Sequence, residues 1–157
     1  MIDVEKIIRE YIDKTVHMSL ATVKDNKPWV CEVHFAYDDK LNLYFVSRLD
    51  TRHCQEISAN PFVAGNIIRQ HDLEELPHGI YFEGKAEVII DPSDEDISRY
   101  CKRLARDAVE LHELLEVKDV RAMFKVSVKN WAAFGKFNDV DLQKYELTWN
   151  EGSQHHE

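Results

Sequence analysis

The sequence predicts an α+β fold: six or seven antiparallel strands curled into a small barrel, with helices at one end and in one insertion. Three observations lead there. Apolar and polar residues alternate at a period of two in most segments between residues 16 and 90, as in half-buried strands. Short polar turns join these segments, which favours antiparallel pairing, and closure into a barrel would remove exposed edges. Two stretches, 3–14 and 93–117, carry apolar residues at helical spacing instead.

Val4, Ile7, Ile8, Tyr11 and Ile12 fall on one helical stripe, with Asp3 as its N-cap. Val16, Met18 and Leu20 then alternate as a strand, and a polar turn at Lys24–Lys27 leads into a second. In that second strand Trp29, Cys31, Val33, Phe35 and Tyr37 point one way and Val30, Glu32, His34 and Ala36 the other. Leu41–Ser47 reads as a third strand, and Thr51–Ala59 as a short helix closed by Asn60-Pro61, since proline disfavours a helical residue before it. Phe62–Ile68 is a fourth strand. After a charged loop at 70–78, Ile80, Phe82, Gly84, Ala86, Val88 and Ile90 share one face of a long fifth strand. Ser93 and Asp96 form a capping-box pattern opening a helical insertion, with a break near Arg106-Asp107. Val120–Lys129 and Leu142–Trp149 complete the strands, with room for one more between them.

At 157 residues the chain is expected to form one domain over residues 1–150, followed by a polar C-terminal tail at 151–157. A net charge of −9 argues against the broad basic field of a nucleic-acid binder. Cys31, Cys54 and Cys101 are odd in number and far apart, and there is no CxxC, so neither a disulfide framework nor structural zinc is expected. No apolar run approaches the ~18 residues of a membrane span, and the first residues lack a signal-peptide pattern. The expected location is the cytoplasm.

The most informative stretch is Ser47-Arg48-Leu49-Asp50-Thr51-Arg52-His53, between a strand and a helix. Free N–H groups at a helix start, two hydroxyls and a guanidinium together suit an anion such as one phosphate. Residues 47–70 hold three arginines against Asp50 and Glu56, a basic island in an acidic chain. The same residues also read as an ordinary cap, Thr51 or Asp50, with solvated arginines beside it.

The order strand, turn, strand, then Leu43-Tyr44-Phe45-Val46-Ser47, then Thr51-Arg52-His53 and Asn60-Pro61, resembles the pyridoxamine 5′-phosphate oxidase-like family of FMN-binding split barrels, and most closely its small general-stress and uncharacterised members. The resemblance spans residues 5–137 in element order, with its specific motifs within 29–61. It implies a homodimeric split barrel with FMN in a cleft between subunits. The backbone of Cys31, Glu32, Val33 and His34 would lie along the flavin ring, Val46 and Ser47 beside the ring edge and phosphate chain, and Thr51, Arg52 and His53 at the phosphate. Two departures stand out. His53 replaces the usual lysine and supplies less charge, and Cys31 stands where the oxidase has an arginine. The basic C-terminal segment that holds the oxidase's substrate has no counterpart in Tyr145–Trp149, so pyridoxamine phosphate oxidation is not expected.

Outside this stretch, His71 and His78 lie in a charged loop with poor metal spacing and are expected in solvent. Cys54 is open to two uses, a reactive thiolate or buried packing. Trp131, Phe134 and Phe137 wall the cofactor cleft from the partner subunit or serve core or dimer packing, and the acidic insertion 91–119 reads as a solvated amphipathic face. Two functional readings follow. One is an FMN-dependent oxidoreductase acting on a small molecule, and the other a non-catalytic flavin- or haem-binding stress-response protein, for which His34 and the His53–Cys54 pair are the axial candidates.

Overall fold

The computed structural model describes residues 2–137 and 142–149. The predicted tail at 151–157, with His155 and His156, lies outside the described residues. Helix α1 (Val4–Ile12) is capped as expected, the Asp3 side chain accepting from Lys6 N–H. Strands β1 (His17–Lys24) and β2 (Lys27–His34) form a hairpin whose turn residues Asp25 and Asn26 both have positive φ, 52° and 58°. That pair of left-handed residues is the type I′ geometry that matches strand twist.

Next come β3 (Ala36–Tyr37), β4 (Leu43–Arg48), α2 (Arg52–Ala59), β5 (Phe62–Ile67) and β6 (Gly79–Val88). The insertion divides into α3 (Asp94–Leu104) and α4 (Ala108–Glu116). Ser93 and Asp96 make both bonds of the capping box, and the expected break is real: Ala105 turns left-handed and Asp107 caps α4. Strand β7 (Arg121–Gly135) and β8 (Gln143–Thr148) finish the chain, β7 absorbing the extra strand expected after Lys129.

The strands pair in the order β2-β1-β5-β6-β7-β4-β3, with β8 also on β7, and every pairing is antiparallel. This corrects two expectations. There are eight strands among the described residues rather than six or seven, and the ladder is a curled half-barrel with ends at β2 and β3 rather than a closed barrel.

The physical reason lies at Phe35, inside what reads as one continuous strand. Phe35 N–H donates to Val16 O, just before β1, while its carbonyl accepts from Arg103 of α3 (3.1 Å) instead of from a strand. The chain therefore leaves β1 and joins β4 one residue later, at Ala36 opposite Tyr44.

One core fills the curl: Met18, Leu20, Phe35, Leu43, Phe45, Phe124 and Trp131 are all essentially inaccessible, closed at one end by α1. Trp131 is thus core rather than cleft wall. A second, smaller core lies under α3 and α4, where Ile97, Tyr100, Cys101 and Leu111 pack on Ala36, Tyr44 and Met123. The insertion is therefore amphipathic as expected, with a buried face of its own. Val88 and Ile90, expected to face inward, are exposed. Among the described residues no helix is long and apolar enough to cross a membrane.

Candidate functional site

Strand β4 alternates between the two cores. Leu43 and Phe45 point into the curl and Tyr44 toward α3, which sends Val46 to the α3 side and Ser47 to the inner side. Val46 accordingly packs on the second core. Ser47 sits at the mouth of the curl, where the chain turns through Leu49 and Asp50 into α2.

Three polar groups meet there. His53 Nε2 lies 2.9 Å from Ser47 Oγ and 3.3 Å from Thr51 Oγ1. The His53 ring is buried and tilted against Phe45, their centroids 6.3 Å apart. Burial pushes this imidazole below the usual histidine range, with the nearby Glu56 carboxylate opposing, so it is neutral at pH 7. The thiol of Cys54 also reaches Ser47 and Thr51, but burial raises its pKa, which rules for packing over a reactive thiolate.

Thr51 has the extended backbone of an N-cap, yet its hydroxyl donates to Arg48 O (2.8 Å) and leaves the helix start without a side-chain cap. The first-turn N–H groups of α2 therefore point outward unclaimed by Thr51, the feature that makes a helix start attractive to anions.

Arg52 is held from two sides. Its guanidinium lies 4.3 Å from the centroid of the Trp29 ring, and its Nε donates to Glu56 Oε1 (2.8 Å). Glu56 is buried and takes a second bond from Thr22 Oγ1 (2.5 Å). Those two hydrogen bonds hold its carboxyl below the usual range, so it stays ionised. Among the described residues only Nε of Arg52 is engaged, so its two terminal nitrogens keep their donors. Neither Trp29 nor Glu56 carries a local sequence signal. Their register against α2 is a tertiary fact.

The other predicted residues divide. Cys31 faces inward near Cys54, and burial, then the Cys54 and Glu32 charges, raises its thiol to about 11. Val33 is core. Glu32 and His34 lie on the opposite face of β2, where Glu32 accepts from Ser19 Oγ and His34 pairs with His17. Thus Ser47, Thr51 and His53 come together, Arg52 follows Thr51 but is held on Trp29 and Glu56, and Cys31 lies near Cys54, whereas the side chains of Val46, Glu32 and His34 point elsewhere. The basic island also separates: Arg48 turns onto Asp50 (2.7 Å), and Arg69 packs 5.8 Å from the Tyr11 ring in a different cavity.

His78, expected in solvent, is corrected as well. Its Nδ1 lies 2.6 Å from Tyr11 Oη and its Nε2 3.1 Å from Glu75 Oε2, with the side chain only 10% exposed. Tyr11 lies on the apolar stripe of α1, 67 residues away in the chain, so no local pattern announces this pairing. Among the described residues no group of three or more His, Cys, Asp or Glu is placed to hold a metal ion.

The curled sheet and the polar mouth between β4 and α2 define a split-barrel protein. The chain belongs to the pyridoxamine 5′-phosphate oxidase family, whose model matches residues 4–135. It is 30% identical over 102 residues to the UPF0306 protein plu4501 of Photorhabdus laumondii, covering 62% of this chain and 70% of that one. Its fold matches general stress protein 26 of Bacillus anthracis at TM-score 0.66 and 19% identity, covering 93% of this chain and all of the other. It matches a heme binding protein of Mycobacterium smegmatis at TM-score 0.75 and 14% identity, covering 94% and 59% respectively.

Proposed function

We propose that this protein is an FMN-binding flavoprotein, a flavin-dependent oxidoreductase acting on a small molecule other than pyridoxamine phosphate, and that it works as a homodimer with the flavin cleft between subunits. One observation carries the reading: two hydroxyls and a neutral imidazole converge at a helix start that has no side-chain cap, and the first residue of that helix carries a guanidinium propped by Trp29 and Glu56. That donor set fits a phosphate group. Haem presents carboxylates instead, so the phosphate-type mouth supports flavin over haem, although the structural neighbours include a heme binding protein and a heme storage protein.

FMN would supply the redox chemistry itself; the chain need only bind and orient it. Ser47 would donate its hydroxyl proton to a phosphate oxygen while accepting from His53 Nε2–H, which fixes the tautomer of that ring. Arg52 would add charge from its terminal nitrogens, with Trp29 and Glu56 restricting the guanidinium before any ligand arrives. Thr51 would contribute only after its hydroxyl leaves Arg48 O. Cys31, a neutral thiol, would touch the ligand without adding charge.

The test is the visible spectrum of purified protein with added FMN, run on wild type and Arg52→Ala. Retained flavin bands in the wild type, lost in a variant that still folds, support the reading. Equal flavin affinity in both removes Arg52 from the site. A haem band from added haem, with no flavin uptake, overturns the flavin assignment and leaves a non-catalytic haem-binding stress protein.

A further inference from the structure

His17 opens β1, His34 closes β2, and the register sets them directly opposite each other. Phe35 N–H donates to Val16 O (3.0 Å), so the neighbouring Val16–Phe35 pair is the hydrogen-bonded kind and the His17–His34 pair is not. A non-hydrogen-bonded pair brings its two side chains closest. Two residues along the same face the pattern repeats with Ser19 opposite Glu32. Two imidazoles, a hydroxyl and a carboxylate therefore share one outward patch, on the face of β2 opposite Cys31 and Val33.

The imidazoles approach edge to edge. His34 Nε2 lies 3.1 Å from His17 Nε2, and the ring centroids are 4.7 Å apart with planes tilted by 52°. Imidazole–metal bonds run about 2.0–2.1 Å, so an ion equidistant from two nitrogens 3.1 Å apart would subtend an angle of about 98° between them. That angle falls between the octahedral and tetrahedral values. We propose that His17 and His34 form a binding site for one divalent transition-metal ion of the zinc, nickel or copper class, held through both Nε2 atoms with water completing its shell.

The neighbouring charges are consistent with an ion there. The positive charge of Arg106 acts on His34 and opposes a cation there, and the Glu32 carboxylate two residues along the same outward face supplies negative charge. His17 is exposed and His34 half-buried, which leaves the patch open to ions from solvent. Imidazole nitrogen suits zinc, nickel and copper far better than magnesium or calcium, which take oxygen ligands.

The site does not depend on the flavin reading, because neither its ligands nor its readout involves flavin absorbance. The experiment is calorimetric titration of the full chain with Ni²⁺, Zn²⁺ and Mg²⁺ near neutral pH. His155 and His156 are replaced by alanine in every sample, so that the tail contributes nothing. One Ni²⁺ or Zn²⁺ per chain and no Mg²⁺ is expected, with affinity falling at least about tenfold in His17→Gln and again in His34→Gln. His71→Gln should bind as the parent does. Cu²⁺ EPR should show nitrogen splitting from two imidazoles, reduced to one in either variant. Absence of binding, unchanged affinity in His17→Gln with the fold intact by circular dichroism, or loss with His71→Gln would overturn the proposal.

Discussion

Replacing Arg103 tests how the sheet is held at its bend. This arginine in the last turn of α3 donates through Nε to Phe35 O (3.1 Å), and through one terminal nitrogen to Ile12 O and to Thr15 O (2.6 Å). Its plane also covers the rings of Phe35 and Tyr37, at 4.8 and 4.9 Å from their centroids. One side chain thus ties the insertion to the end of α1 and to the point where the chain changes from β1 to β4. Hydrogen bonds from an ionised donor contribute about 1.5–3 kcal/mol each. The carbonyls past the end of α1 regain water when the arginine is lost, which brings the net cost of Arg103→Ala down to about 3–4 kcal/mol. The bridge to Asp13 adds little, because that carboxylate is 65% exposed. For a domain of this size the cost corresponds to a melting temperature lower by about 6–15 °C. Thermal unfolding followed by far-ultraviolet circular dichroism reads it directly. Arg103→Lys keeps the charge but not the fork, and should restore less than half of the loss. A drop below about 2 °C for alanine, or full restoration by lysine, would refute the three-carbonyl argument.

Three other expectations follow from the structure. Gly84→Ala should abolish folding, because the added Cβ would sit 2.2 Å from Ser127 O and 2.9 Å from Val128 Cα, both backbone atoms of β7 beside its bulge at Lys129; native-like soluble protein would contradict this. His34 and His53 are both held below their ordinary value of 6.5, so the unfolded chain binds more protons below that pH. Their contribution is complete above about pH 6.5 and lost as pH falls through the folded values, so the urea midpoint should drop between about pH 7.5 and pH 5.5, and less so in His53→Gln. With its thiol raised from 9.0 to about 11, Cys31 should alkylate about a hundredfold more slowly at mildly alkaline pH in the native protein than after denaturation, as mass spectrometry of iodoacetamide-treated samples would show.

Much of the candidate site was legible because its residues are close in sequence. Ser47, Thr51, Arg52 and His53 lie within seven positions across a strand–helix junction, and local geometry alone sets them side by side. What supports them was not legible. Trp29 and Thr22 reach α2 only through the β1–β2 register, and Glu56 reads as one more exposed helix acid until that register buries it. His78 reads as a solvent residue because nothing within its own loop indicates that Tyr11 will meet it.

Local chemistry therefore determined the α1 cap at Asp3, the Asp25-Asn26 turn, the capping box at Ser93 and the break before Asp107. Each depends on bonds spanning only a few residues, whose energies hardly change with what surrounds them. Tertiary structure decided that the strand read across Phe35 is two strands, that the barrel stays open as a half-barrel, and that His17 faces His34. Those outcomes depend on contacts between distant segments, such as Arg103 with Phe35 at a separation of 68 residues. Hydrophobic period specifies which face of a strand is buried, but not which strand it meets or where it must bend.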